Sequence, residues 1–344
     1  MEYGAIDLHL RRSQFRIVDE HGTVVKGGTC DTTRADFTRV WGARARMRVL
    51  IESSTESEWV AQHLETLGHE VIVADPNYLP MYGARARKVK TDGRDTTALT
   101  EACRLRIYRR AHRVSAARRA LRQELRVRRQ AVRMRSSSIS LLRSLLRQEG
   151  WRLPRGSAEK VPERLARLAL PEGLVTILAP LRTWIATLTT QLTQADDQVQ
   201  QRAASDPVAS QLMTAPGVGA VVALTFQAVL DDPGRFDGNA ARASAFIGLV
   251  PSETSSGSQQ RRGPITKTGP GELRALLVQA SWVLWRSRGP AGAALRHWAL
   301  AIAERRGRRV AIVALARRLS RILFALWRDG TDFREPRTAM PSAA

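Results

Sequence analysis

Between residues 104 and 155 the chain packs seventeen arginines and two glutamates, yet apolar residues keep a helical rhythm through the charge. Leu121, Leu125 and Val132, followed by Ile139, Leu142 and Leu146, fall on helical faces. A disordered basic tail needs no such stripe, so the segment predicts long basic helices rather than a solvated arm. Its charge of +15 is most of the +23 carried by the whole chain. Arginine outnumbers lysine fifty to five, and its planar fork meets phosphate oxygens in pairs. A GC-rich genome would account for arginine over lysine, but not for the excess of base over acid. A field of this sign attracts polyanions, which points to nucleic acid. Arg118, Arg119, Arg122, Arg126 and Arg129 are its candidate contacts here.

On either side the pattern changes. Residues 3–7, 14–19 and 23–27 read as short strands, with a tight turn at "EHGT". Thr33 can cap a helix over 34–45, residues 47–52 form a buried-type strand, and Trp59, Val60, His63, Leu64 and Leu67 share a helical face over 57–67. Gly68 stops that helix before a strand at 69–74; Pro76 and Pro80 mark a loop, and a helix starts near Asp92. This order predicts a mixed α/β sheet that begins as a meander. From Leu174 a four-three spacing runs through Leu178, Leu181, Ile185, Leu188, Leu192, Ala195 and Val199. Such a seam serves either a coiled coil between protomers or an intramolecular hairpin with the helix over 113–150. Residues 207–330 read as a helical unit with glycine-rich loops. Its last helix, over 308–328, carries Ile312, Leu315, Leu319, Ile322 and Leu326 on one side. The expected organisation is an α/β domain over 1–112, basic and coiled-coil helices over 113–206, a mainly helical domain over 207–330 and a tail over 331–344.

Two cysteines give neither a disulfide framework nor zinc spacing, which suits a reducing compartment. The first residues do not have the form of a secretory leader, and no apolar run is long enough to span a bilayer. A soluble cytoplasmic protein is expected.

Acids are scarce enough for their positions to matter. Asp7 and Glu52 end two strands that a sheet of this order makes neighbours. Asp92 and Asp95, three apart, lie on one face at the start of a helix. Four gathered carboxylates repel one another, and divalent cations relieve that; magnesium prefers such oxygen donors. Two ions would clamp the oxygens of a phosphoryl transfer, with Lys88, Lys90 and Arg94 facing the phosphates. The plainer alternative makes Asp92 a helix cap, Asp95 a first-turn acid and the other two ordinary strand-end or surface residues; Glu56 and Glu58 rival Glu52. Farther on, Pro216-Gly217-Val218-Gly219 between apolar helical stretches reads as the turn of a helix-hairpin-helix, whose glycines admit a phosphate. An ordinary helix connection is the alternative. Residues 251–271 carry loop chemistry, with serines beside Arg261, Arg262 and Lys267, before a helix from about Glu272. A serine there is a possible phosphodiester nucleophile, although no histidine base lies nearby in sequence.

Taken together, these residues resemble the DEDD-type transposases of bacterial insertion sequences, the bridge-RNA-guided recombinases. "AIDLH", "VLIESSTESEW", "VIVADPNY" and "KVKTDGRDTTAL" are similar to that family's N-terminal domain, which has the fold of ribonuclease H and Holliday-junction resolvases. "LMTAPGVGAVVAL", "RFDGNAARASAFIGLVPSETSSG" and "RRGPITKTGPGELRALLVQA" resemble its C-terminal transposase domain. The order and separation of these stretches are more specific than any one of them. The resemblance implies that Asp7, Glu52, Asp92 and Asp95 are the metal-binding acids and that Ser256, before Gly257, attacks the DNA backbone to form a phosphoserine link. Ser255 is the adjacent rival. It further implies Mg2+, with two ions, target and donor DNA, a structured bridge RNA that specifies both, and a homo-oligomer: a dimer, or a tetramer when active. One departure is "ESSTE" after the strand, where many relatives have a smaller, glycine-containing turn. Other functions open to the chain are a metal-dependent junction nuclease that makes no serine link and a non-catalytic RNA-binding remnant.

Overall fold

A computed structural model describes residues 1–83, 92–254 and 261–335; the side chains of Asp92, Arg94 and Arg262 lie outside the described set. The chain divides into two compact units, Met1–Arg113 and Val114–Ala344.

The first unit is built on a five-stranded sheet. β1 (Tyr3–Asp7), β2 (Arg12–Val18) and β3 (Val24–Asp31) form the expected meander; β4 (Arg48–Glu52) and β5 (Glu70–Ala74) follow in parallel with β1. The sheet order is β3-β2-β1-β4-β5. The turn at "EHGT" is tied by Asp19, which accepts from the N–H groups of His21 and Thr23. Helices cover both faces. Ile6, Val49, Ile51, Val71 and Val73 point to one side, where α1 (Arg34–Trp41) and α2 (Ser57–Thr66) bury Phe37, Trp41, Val60 and Leu64. The alternate residues Ala5, Leu50, Ile72 and Ala74 face α3 (Asp92–Leu105) through Leu99, Ala102 and Cys103, with Met81 of a 3-10 turn over Leu79–Tyr82 beside them. Period-two alternation therefore feeds two cores from one sheet. Thr33 caps α1 by accepting from Asp36 N–H, as the sequence suggests, but the helix stops at Trp41 rather than 45. Gly42 closes it, its N–H bonded to Thr38 O.

The second unit is mostly helical: α4 (Ala116–Gln148), α5 (Val161–Ala166), α6 (Glu172–Ser205), α7 (Pro207–Leu212), α8 (Ala220–Leu230), α9 (Ala240–Phe246), α10 (Gly271–Arg286), α11 (Ala293–Arg306) and α12 (Arg308–Asp329). The long basic helix thus starts later than the arginine run, because residues 106–115 leave α3 as irregular chain. The four-three seam of α6 packs within the chain. Leu174, Leu178, Leu181 and Ile185 are buried against Ile139, Leu142 and Leu146 of α4 and Val161 and Leu165 of α5. Of the two readings of that seam, the described contacts are those of the intramolecular hairpin. α8 is the apolar centre of a second core, walled by α10 and α12. The stretch expected to be loop from Pro251 to Gly271 contains a small hairpin of β6 (Pro251–Glu253) and β7 (Arg262–Ile265).

Candidate functional site

β1 and β4 pair in parallel from Tyr3 opposite Arg48 to Ile6 opposite Ile51. One further step of that register brings Asp7 and Glu52 side by side at the carboxyl ends of adjacent strands, about 4.8 Å apart in the pairing direction. Ligand sites in open α/β sheets favour this edge. Alternation puts both acids on the face that α3 covers, two residues beyond Ala5 and Leu50. On α3, Asp95 stands one turn before Leu99, and its residue is only 8% exposed. The start of α3 is held over the sheet near Asp7: Gln14, opposite Asp7 in register, lies 3.4 Å from the point where a Cβ on Gly93 would sit. Arg16 donates to Thr97 Oγ1 at 3.0 Å a turn later.

These acids have protein partners. The Tyr82 hydroxyl donates to Glu52 Oε1 at 2.5 Å, and His9 Nε2 lies 3.5 Å from Asp7 Oδ2. Glu56, the rival nearest to Glu52, accepts from Trp59 Nε1, and Glu58 from Arg113. Both rivals are therefore engaged elsewhere. Among the described residues no three His, Cys, Asp or Glu side chains are grouped closely enough to hold a metal, and the Asp92 side chain lies outside that set. The acids themselves offer oxygen donors, the set that a hard divalent ion takes, with the His9 ring nitrogen beside Asp7. Tyr82 was not foreseen from the sequence; its place just after Pro80, in the turn beside the acids, is the only signal it gives. Lys88 and Lys90 lie outside the described residues, as does the side chain of Arg94. Cys103, also on α3, has its thiol pushed up to about 12 by burial, so it is no nucleophile at neutral pH.

In the second unit the predicted contacts separate into occupied and open. Arg118 donates to Gln227 Oε1 at 2.7 Å and lies 3.6 Å from Asp206, while Arg119 bonds Val114 O. Arg129 pairs with Glu272 at 3.3 Å. Arg122 is half-buried, and burial together with the neighbouring Arg126 charge draws its guanidinium below the ordinary arginine value. Gly217 has φ of +81°, and a Cβ there would meet Ala280 O at 2.7 Å. Its need for glycine is thus explained by the approach of α10. Gly219, by contrast, is exposed, with open space where a Cβ would be, at the N-terminus of α8.

Ser255, Ser256 and Gly257 lie outside the described residues. What frames them is described: Thr254 N–H donates to Arg261 O at 2.9 Å, closing the β6–β7 hairpin on either side of the serines. The base of that hairpin is fixed by Arg274, which donates to Ile247 O at 2.8 Å and Thr268 O at 2.9 Å. Gly269, at φ of +66°, passes so close to Phe246 O that no Cβ fits. Arg261 and Lys267 are both exposed beside it. Arg274 escapes sequence reasoning because its partners are carbonyls, which no motif records.

A family model described as a transposase, of the DEDD type named for IS110, matches residues 5–150. A second, the transposase IS116/IS110/IS902 family, matches residues 209–297. The chain is 28% identical over 344 residues to a probable family 20 transposase of Pseudomonas aeruginosa, covering 97% of this chain and 99% of that protein. It is 29% identical over 289 residues to the transposase for insertion sequence element IS1328 of Yersinia enterocolitica, covering 83% and 85% of the two. To the transposase for insertion sequence element IS1111A of Coxiella burnetii it is 26% identical over 314 residues, 90% and 85% of the two.

Proposed function

The chain belongs to the DEDD-type insertion-sequence transposases of the IS116/IS110/IS902 family, and from that premise we propose how its own residues divide the work on DNA. The family is one of divalent-metal enzymes. Asp7, Glu52, Asp92 and Asp95 would hold two Mg2+ ions, which when bound neutralise phosphate charge and polarise its oxygens. The sheet order, with β1, β4 and β5 parallel and the acids at one edge, supports a ribonuclease H-like domain. Ser256 supplies the nucleophile: its Oγ–phosphorus bond forms as a bridging phosphorus–oxygen bond breaks, and the departing deoxyribose hydroxyl takes the proton. A hydroxyl of the joining strand then reverses the step. Arg261, Arg262 and Lys267 flank the serine and neutralise the phosphate under attack. Target and donor choice falls to a structured bridge RNA, so the protein needs shape and phosphate contacts more than base readout. An oligomer, dimeric at rest and tetrameric when active, brings one protomer's serine to another's acids.

One observation carries this reading: the parallel register that sets Asp7 beside Glu52 on the face where α3 buries Asp95. Trapping of protein on cleaved DNA tests it. Wild-type protein should form the adduct with Mg2+ and the bridge RNA; Ser256→Ala and Asp7→Asn should each abolish it while binding persists. Strand cleavage without adduct in Ser256→Ala would instead mark a junction nuclease, and Asp7→Asn with full recombination would mark a non-catalytic RNA-binding protein.

A further inference from the structure

α4 carries a second stripe beside its leucines. Arg122, Arg126, Arg129, Arg133, Ser136, Ser140, Arg143 and Arg147 repeat at spacings of four and three, with one gap of the same heptad phase filled by the serines. Residues so spaced share one helix face. The leucine stripe faces inward to α6, and Arg128 and Arg135 lie toward it, bonded to Asp196 and Glu159. The arginine stripe is different. Among the described residues Arg122, Arg126, Arg133, Arg143 and Arg147 have no side-chain hydrogen bond or ion pair, whereas Arg129 pairs with Glu272. Leaving several cations unpaired in a row costs self-repulsion, and half-burying Arg122 beside Arg126 adds to it.

Two cavities lie along this stripe. One, of about 420 Å³, is lined by Arg122, Arg126, Arg129 and Arg133 together with the start of α10 at Gly271 and Glu272. The other, of about 430 Å³, is lined by Ser140, Arg143, Arg147 and Arg152. From Arg122 to Arg147 the helix rises about 38 Å at ~1.5 Å per residue. That length spans about eleven backbone steps of a duplex, whose phosphates advance ~3.4 Å per strand.

We propose that this face of α4 is a continuous phosphate track, which seats the sugar–phosphate backbone of about one turn of nucleic-acid duplex and admits phosphates at its two arginine-lined cavities. The proposal rests on the transposase reading for its polyanion, but it concerns binding alone. The fork geometry of arginine suits paired phosphate oxygens, and Ser136 at the middle of the track adds a hydroxyl donor without charge, while the Ser140 hydroxyl donates to Ser136 O at 2.9 Å.

Affinity of the full chain for 20-base-pair duplexes of arbitrary sequence, one DNA and one RNA, is measured by fluorescence anisotropy between 50 and 200 mM NaCl. The slope of log K against log salt should become shallower by about 2 in Arg126→Gln/Arg133→Gln and again in Arg143→Gln/Arg147→Gln, since each lost phosphate contact removes ~0.9. The charge-keeping pair Arg143→Lys/Arg147→Lys should retain the wild-type slope, and the opposite-face pair Arg128→Gln/Arg135→Gln should change it far less than either stripe pair. A shallower slope with DNA, with RNA or with both supports the track and identifies its occupant. An unchanged slope with both duplexes, or an equal loss in the opposite-face pair, overturns it. Melting curves check that each variant is folded. Loss of the covalent adduct in Asp7→Asn with an unaltered slope would leave the track standing, and an unaltered slope in the stripe variants would leave the cleavage reading standing.

Discussion

Tyr82 illustrates how a residue outside every motif can matter to a site. Its hydroxyl donates to Glu52 at 2.5 Å, which leaves that carboxylate fewer orientations for the cations proposed to bind it. Tyr82→Phe should keep the fold and lower strand cleavage about fivefold, with a raised requirement for Mg2+, on the ~1 kcal/mol scale of a single hydrogen bond. A Mg2+ titration of cleavage checks it; an unchanged curve would remove Tyr82 from the site. Asp206 is a structural counterpart. It caps α7 by accepting from Ala209 N–H at 2.9 Å, accepts from Gln227 Nε2 at 2.9 Å and lies near Arg118. Burial opposes its ionisation, but those donors and the arginine charge prevail and hold its carboxyl below the ordinary aspartate value. A depressed folded value means the stabilisation is fully present above the unfolded value of ~4 and is lost as pH falls through the lowered one. Asp206→Ala should therefore cost about 2 kcal/mol at pH 7, where cap and buried amide both lose a partner, and progressively less below pH 4. Urea titrations at the two pH values measure the difference. This same trio takes Arg118 out of the set of free phosphate contacts, a fact set by residues 88 and 109 positions away and so invisible to local spacing.

Elements were legible where burial imposes a period. The meander, the parallel strands and the start of α3 at Asp92 all follow from alternation, caps and glycine stops that act within a few residues. The seam of α6 was legible as a seam, while its partner was not, because an a/d spacing states only that something apolar covers it. The partner is α4 with α5, and Leu178→Ala, at 1% exposure in that cluster, should cost about 2–5 kcal/mol. A matching loss in the melting transition at low and high protein concentration would mark the seam as internal; a concentration-dependent midpoint would return it to the protomer interface. The β6–β7 hairpin was not legible. Its strands are three and four residues long and include Pro251, Gly263 and Pro264, which read locally as loop. Its stability comes instead from Arg274 and the close approach of Gly269 to α9, contacts supplied by flanking helices. Arg274→Met should free the hairpin base without disturbing α10, and hydrogen exchange at Thr266 and Thr254 should rise; protection at wild-type level would show that the strand pair holds alone.

At the scale of the molecule, charge is divided as unevenly as chemistry. Residues 1–113 carry 19 basic and 15 acidic side chains, a net +4, whereas residues 114–344 carry 36 and 17, a net +19. The acids that would meet metal thus belong to a nearly balanced unit, and the attraction for polyanions to a strongly basic one. Keeping most of the arginine out of the unit with the four carboxylates is physically sensible: guanidinium groups in large excess there would compete with the cations proposed to bind them. The sheet unit also has cores on both of its faces drawn from residues 5 to 111, and helices that cover each. Residues 1–113 produced alone should therefore melt cooperatively and bind a 20-base-pair duplex weakly, with a shallow dependence on salt, while residues 114–344 keep most of the affinity and nearly the full salt slope of the whole chain. Anisotropy titrations of the two pieces and the intact protein at matched salt decide the matter. Equal slopes for the two pieces would mean that affinity follows local patches rather than the division of net charge, and the basic helices would lose their place as the principal nucleic-acid surface.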